Sequence, residues 1–450
     1  MLTPVGSESE SAWRTWLLCA LLAGAALRVV ALPLRGTGDV TVWKVWSFAG
    51  AHDVTGMYGV GGSPPERRVL HWNGEAMTVD YPPVTLYALA AVGHAYQWFD
   101  PLFRDTAALS VFIKLSGVLL EIALLALALT WGRRRYGARA AMWTCGALWL
   151  NPALLLDGPV LGYLDPLIFL PLVVAVIAAW GGAAWLAGAC AAVAVLTKPQ
   201  AVFVIPVIVA LVARRGGRDR WRSATSFVVA GAVTAMIVLL PYVLRGAWWN
   251  LVQALSRLAS HDMLSAQAAN IWWIATWIIR AVDGLPEWGW SGALTQEVRI
   301  LGISAAMVAG YPNARIIGVL LVGLALLFAM WRTVRVGSLA DAAALAAWSA
   351  YAYAMLGAQV HENHLVPAVP LMAVAAGLDR RFRPVFWSMS AIAALNLYLF
   401  YGLAPEYPPL VPRRITVVDV TVLLSIVNVG VFIWFTRRLR SARAVAEAPR

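Results

Sequence analysis

The stretch GDVTVWKVW, residues 38–46, follows the first long apolar run and places Asp39 five residues before Lys44, with Trp43 and Trp46 beside them. A carboxylate held where membrane meets water can accept a proton. From the segment alone the simpler reading is an interfacial amphipathic helix, its tryptophans in the headgroups and its charges in water. VDYPPVTLY, residues 79–87, adds Asp80, a candidate N-cap for a helix whose first turn tolerates prolines. The same stretch, with Tyr81, is a candidate pocket wall. NPALLLDGPVLGYLDP brings Asp157, Tyr163 and Asp165. Asp165 precedes Pro166 and reads as a helix cap. Asp157 has less structural excuse, because the C-terminal end of a helix disfavours an anion, and carboxylates near membrane helices are candidates for function.

Lys198, in LTKPQA, occupies a short turn. It either snorkels to headgroups or neutralises charge on a leaving lipid phosphate. AQVHENHLVP supplies His361, Glu362 and His364. The H-x-x-H spacing could hold a metal, but no H-E-x-x-H motif is present. Hydrogen bonding to a phosphate or sugar is the favoured reading, with neither metal nor cofactor expected. The chain has no Walker loop, no G-x-S-x-G elbow and no Rossmann fingerprint.

The elements that position these residues follow from composition. Of 450 residues, 61% are hydrophobic and 13% charged, more apolar surface than a soluble domain can hide. Several runs approach or exceed the roughly 18 residues that span a bilayer, which predicts an all-α polytopic membrane protein. Alternating ten-residue strands of the outer-membrane barrel type are absent. The net charge of +12 does not point to nucleic acid, because the arginines cluster at the ends of apolar runs: 133–139, 214–222, 332–335, 380–383 and from 437 onward. That is the signature of cytoplasmic loops. Cys19, Cys145 and Cys190 lie inside apolar runs and read as small buried hydrophobes.

With the N-terminus inside, the parity of the arginine clusters predicts crossings at 12–34, 109–131, 140–156, 166–180, 184–196, 201–213, 225–244, 316–331, 342–356, 365–378, 385–400 and 416–435. The count is about twelve, within eleven to fourteen. Residues 81–99 form a helix lying at the outer surface. The chain is then one membrane domain, 1–450, with extracytoplasmic loops at 35–108 and 245–312 and a basic cytoplasmic tail at 437–450. The second loop carries apolar helices near 271–279 and 300–309. All six histidines fall on or near the outer face, so chemistry is expected there. Lys114, Glu121 and Arg28 are the main charges inside spans.

Taken in order, these pieces resemble the GT-C glycosyltransferases. The closest resemblance is to the dolichyl-phosphate-glucose-dependent glucosyltransferases of N-glycan precursor assembly. That family carries Gly-Asp after its first span, then a basic residue and a Trp at the spacings of Lys44 and Trp46. Asp-Tyr-Pro-Pro follows, as at 80–83, then an Asp with a Tyr six residues on, as in Asp157 and Tyr163. A Lys before a span matches Lys198, Ala-Asn-aromatic-Trp matches AANIWW with Asn270, and a late His-Glu matches His361 and Glu362. Gly158, Pro159 and Val160 stand where the family has histidines, and Asn363 where it has a lysine. These departures bear on the sugar and the acceptor.

The resemblance implies a GT-C bundle and an inverting transfer of a hexose, glucose favoured and mannose second, from a polyprenyl phosphate to a lipid-linked or cell-envelope glycan. Asp39 would be the general base, and Lys198 and His361 the candidates to stabilise the departing phosphate. Lys44, Trp46, Asp80, Tyr81, Asp157, Tyr163, Asn270, Glu362 and His364 would complete the substrate site. The Ala-, Gly- and Arg-rich composition points to a bacterial inner-membrane protein with an outward-facing site. A transporter or flippase of polyprenyl-linked glycolipid is the alternative, and it would need polar residues through the midplane.

Overall fold

The computed structural model describes residues 7–60, 68–258, 264–282, 314–412, 414–415 and 418–441. The expected helix near 300–309, His261, residues 283–312 of the expected loop 245–312 and the tail beyond Ser441 lie outside them.

The described residues are overwhelmingly helical. In chain order the main helices are α1 (Ser7–Ala31), α2 (Gly38–Asp53), α3 (Pro83–Phe99), α4 (Ala107–Leu127), α5 (Ala138–Trp149), α6 (Pro166–Gly181), α7 (Ala184–Thr197) and α8 (Ile205–Gly216). They continue as α9 (Arg220–Leu244), α10 (Trp248–Leu258), α11 (Ile271–Val282), α12 (Ala314–Thr333), α13 (Leu339–Leu356), α14 (Ala368–Leu378), α15 (Arg383–Tyr401) and α16 (Val420–Ser441). Among the described residues, seven helical segments are long and apolar enough to cross a membrane, and α6, α7 and α14 are shorter apolar helices. Val228 and Ile237 on α9, and Val319, Leu320, Leu324 and Leu327 on α12, are exposed. An exposed apolar band of that extent is what lipid covers.

Two hydrophobic clusters organise the molecule. The larger joins α4 to α8 with α13 to α15. The smaller lies around α2, α3 and the hairpin β1 (Val69–Trp72) and β2 (Glu75–Thr78). The hairpin turns through Asn73 and Gly74, both at positive φ (51° and 79°), the two-residue turn that matches strand twist. On α3, Gly93 lets α2 approach closely, since a Cβ there would sit 2.0 Å from the Ser47 carbonyl oxygen.

Several sequence expectations are corrected by this packing. The expected span 140–156 is the twelve-residue helix α5. Asn151 then caps a new short turn (Pro152–Leu155) through the amides of Ala153 and Leu154, and the backbone passes into a π turn (Leu156–Val160) containing Pro159. This break carries Asp157 into the protein, where it is fully buried, instead of leaving it at a span's outer end. Asp80 is not the cap of α3, whose N-cap is Pro82. Trp43 and Trp46 are 2% and 1% exposed, so they pack inside the protein and not in headgroups. Cys19 is exposed and not a buried hydrophobe. The charges inside spans are paired off: Arg28 donates to Glu121 at 2.8 Å and to the Trp149 carbonyl at 2.7 Å, and Lys114 donates to the carbonyls of Leu34 and Val160, both at 2.7 Å.

Candidate active site

Helix α2 sets the geometry. At 3.6 residues per turn, Trp43 and Trp46 share the face of Asp39, while Lys44 points about 140° away. The start of α2 is pinned to the loop after the π turn. Thr37 N–H donates to the Leu161 carbonyl at 2.9 Å, and Trp43 Nε1 to the Gly162 carbonyl at 3.1 Å. Lys114 ties the strands of chain on both sides of this seam. The sequence thus uses a buried lysine as a clamp, which fixes Asp39 against the segment bearing Asp157 and Tyr163.

Asp39, Trp43, Trp46, Asp80, Tyr81, Tyr163, Arg315, His361, Glu362, His364 and Tyr401 are among the residues lining one cavity of about 1280 Å³, larger than the roughly 300–1,000 Å³ of ordinary small-molecule sites. Residues Ala76, Met77 and Thr78 of β2 form part of its wall. Trp43, Trp46 and Tyr81 pack edge to face, with ring centroids 5.1 to 5.7 Å apart. A further part of the cavity is apolar, lined by Val195, Val202, Phe203 and, along α12, Gly318, Val322, Gly323 and Leu326.

Glu362 is buried and accepts hydrogen bonds from Tyr163 Oη at 2.6 Å and Tyr401 Oη at 3.1 Å. Burial raises its carboxyl above the ordinary range against those two bonds. His364 stacks near Tyr353, meets its hydroxyl at 3.1 Å through Nδ1 and the Gln200 amide at 2.8 Å through Nε2. His361 is half-exposed, 4.0 Å from Glu362. Asp39 opens to the cavity yet is closed off by surrounding protein. That burial, with the negative charge of Glu362, pushes its pKa up to about 6, opposed by Lys198. A carboxylate near 6 is a competent base at neutral pH.

Behind the cavity lies a buried charge cluster. Lys198 Nζ donates to Asp165 Oδ2 at 2.6 Å, with the side chains 2% and 0% exposed, and Asn363 Nδ2 donates to the same oxygen at 2.8 Å. Burial opposes the charge of Lys198, but Asp165, Tyr81 and Asp157 outweigh it and hold the ammonium above its usual value. Asp157, with both oxygens lacking a hydrogen-bond partner among the described residues, is pushed well up by burial and by Asp165.

Sequence-expected residues therefore fall into three groups. Asp39, Trp46, Asp80, Tyr81, Tyr163, His361, Glu362 and His364 meet at the cavity. Lys198 and Asp157 sit behind its wall, not on it. Lys44 and Asn270 are elsewhere: Lys44 pairs with Asp105 at 2.6 Å, and Asn270 caps α11 through the amides of Trp272 and Trp273 while bonding the Ala354 carbonyl. Sequence reasoning passed over Asp165, Arg315, Gln200, Tyr353 and Tyr401. Asp165 was hidden by the proline after it, which makes any aspartate look like a cap. It sits at the N-cap position but makes no side-chain capping bond.

The family model of the ALG6, ALG8 glycosyltransferases matches residues 68–437. The chain belongs to the ALG6, ALG8 glycosyltransferase family. Its long apolar helices make this member of the family an integral membrane protein. The matched segment holds every cavity residue from Ala76 to Tyr401, whereas Asp39 precedes it. Among solved structures, the Archaeoglobus fulgidus oligosaccharyltransferase, crystallised with an acceptor peptide containing the NVT sequon tethered by a disulfide bond, is similar over 94% of this chain at 14% identity and a TM-score of 0.40. The chain spans about half of that enzyme's length (54%). No curated protein matches the chain.

Proposed function

We propose that the protein moves a hexose, glucose in the first instance, from a polyprenyl-phosphate donor to a glycan or glycolipid acceptor at the extracytoplasmic face of a bacterial inner membrane. The observation that carries this reading is the cavity that joins a polar part, with Asp39 open to it, to an apolar part along α12. A lipid-linked sugar needs both. From Gly318 to Leu326, α12 offers about 12 Å of helix for the proximal isoprene units, and Arg315 stands at the start of that stretch.

Asp39 accepts the proton of the acceptor hydroxyl as that oxygen attacks the anomeric carbon. The bond from that carbon to the phosphate oxygen breaks, and the lipid phosphate leaves with the electron pair. Arg315 and His361, both lining the cavity, are the candidates to stabilise the charge that develops there. Lys198 lies behind the wall and is committed to Asp165, so it acts through the shape and charge of the wall. A single displacement with one base inverts the anomeric configuration. The transporter reading loses support from the same geometry, because the charges inside the spans, Arg28, Glu121 and Lys114, bind one another or backbone carbonyls.

The test is transfer by purified protein in vesicles, with polyprenyl-phosphate glucose and mannose compared. Arg315→Ala should raise the donor KM about tenfold or more, the scale of losing one hydrogen bond to a charged group. Arg315→Lys should recover part, since a point charge replaces a fork. An unchanged donor KM in Arg315→Ala removes Arg315 from the phosphate site.

The outward orientation has its own test. In a background with the native cysteines replaced, Glu75→Cys at the hairpin should react with a membrane-impermeant reagent in intact cells, and Arg218→Cys should not. Both positions are exposed. Reaction at Arg218→Cys alone would place the cavity on the cytoplasmic side.

A further inference from the structure

Lys44 shares α2 with Asp39 but serves another surface. Its ammonium donates to Asp105 Oδ1 at 2.6 Å, and Asp105 Oδ2 accepts from Asn73 Nδ2 at 3.3 Å. Asn73 is the first turn residue of the hairpin. Asp105 thus joins α2 to the hairpin tip with one oxygen for each partner. The other end of the contact is aromatic: Trp72, the last residue of β1, lies 6.1 Å from Phe48 of α2 and 5.9 Å from Phe103, ring to ring. On the far strand, Ala76, Met77 and Thr78 line the cavity, and the chain runs from them directly to Asp80 and Tyr81. The hairpin is therefore a wall of the active-site cavity, held at its tip by the Asp105 carboxylate and by the Trp72 ring against Phe48 and Phe103.

We propose that Lys44 is a positioning residue: by holding Asp105 it fixes the hairpin wall that seats the acceptor beside Asp39. The inference rests on the glycosyltransferase reading given above. The clasp is polar and partly exposed, with side-chain exposures of 15% for Lys44 and 37% for Asp105, so its loss loosens the hairpin without unfolding the helical core. On that reading the lipid part of the donor is assigned to the apolar stretch of α12, and the hairpin wall to the acceptor.

The experiment has two arms on the full-length protein in nanodiscs. Hydrogen–deuterium exchange needs no turnover and reads the clasp alone: Lys44→Met should speed exchange of residues 69–78 and leave α4 and α13 unchanged. Transfer kinetics read its use: the acceptor KM should rise about twofold to fivefold, the scale of one partly exposed ion pair, with donor KM and kcat held. Lys44→Arg should restore both readings, and Asp105→Asn should reproduce Lys44→Met. Unchanged hairpin exchange in Lys44→Met overturns the clasp. Faster exchange with an unchanged acceptor KM overturns the positioning role. A donor KM or kcat that moves instead of the acceptor KM does the same. Absence of any transfer by the wild type would strike the glycosyltransferase reading itself, leaving the exchange result to stand for the clasp alone.

Discussion

Asp39→Asn should cut sugar transfer by about 100-fold or more while expression and donor binding stay near wild type, the usual scale for losing a general base. The amide is the same size as the carboxylate and keeps the packing beside Trp43 and Trp46, but it cannot take a proton. The wild-type pH profile supplies a second reading. Burial and the neighbouring Glu362 push the pKa of Asp39 up to about 6. The base works ionised, so activity should be flat above that value and fall about tenfold per pH unit below it. The residual activity of Asp39→Asn should show no such acid limb. Near wild-type turnover in purified Asp39→Asn would end its candidacy and pass the role to Asp80, the next carboxylate on the cavity.

Lys198→Ala should reduce stability more than any other single change considered, because it leaves Asp165 buried without its cation. Removing one partner of a buried pair costs about 3–5 kcal/mol. The measurement is the thermal midpoint of the detergent-solubilised protein. Lys198→Met combined with Asp165→Leu should recover most of the loss, since replacing both partners with apolar groups of similar volume is often neutral. A Lys198→Ala protein with wild-type stability and a selective defect in donor use would mean that the lysine reaches the phosphate after all, and the wall would have to open for it.

Much of the architecture was legible because it depends on coarse quantities. Apolar length and arginine placement predict an all-helical membrane chain, and the described residues are overwhelmingly helical with seven segments long and apolar enough to cross a membrane, since those signals do not depend on which side chain meets which. The site was legible in part. Asp39, Asp80, Tyr81 and Glu362 announce themselves as carboxylates and aromatics at the edges of apolar runs. What the sequence hides is direction. Nothing in LTKPQA says that Lys198 turns inward onto Asp165, because a lysine in a short turn looks the same whether it meets lipid or an aspartate 33 residues away. The break after α5 was equally hidden: Asn151 and Pro159 are ordinary turn residues in an apolar run, and only the packing shows that they carry Asp157 into the core. Tyr401 and Arg315 gave no local signal, since their value lies in partners or surfaces distant in sequence.

The central claim is a single displacement at the anomeric carbon, with Asp39 as the base and a lipid phosphate as the leaving group. The most direct measurement is the stereochemistry of transfer: purified protein, a polyprenyl-phosphate hexose of known anomer, and the anomeric coupling constant of the product by NMR. The account predicts the opposite anomer in the product. A product with the donor's configuration would require a covalent glycosyl intermediate or a second displacement, and would contradict it.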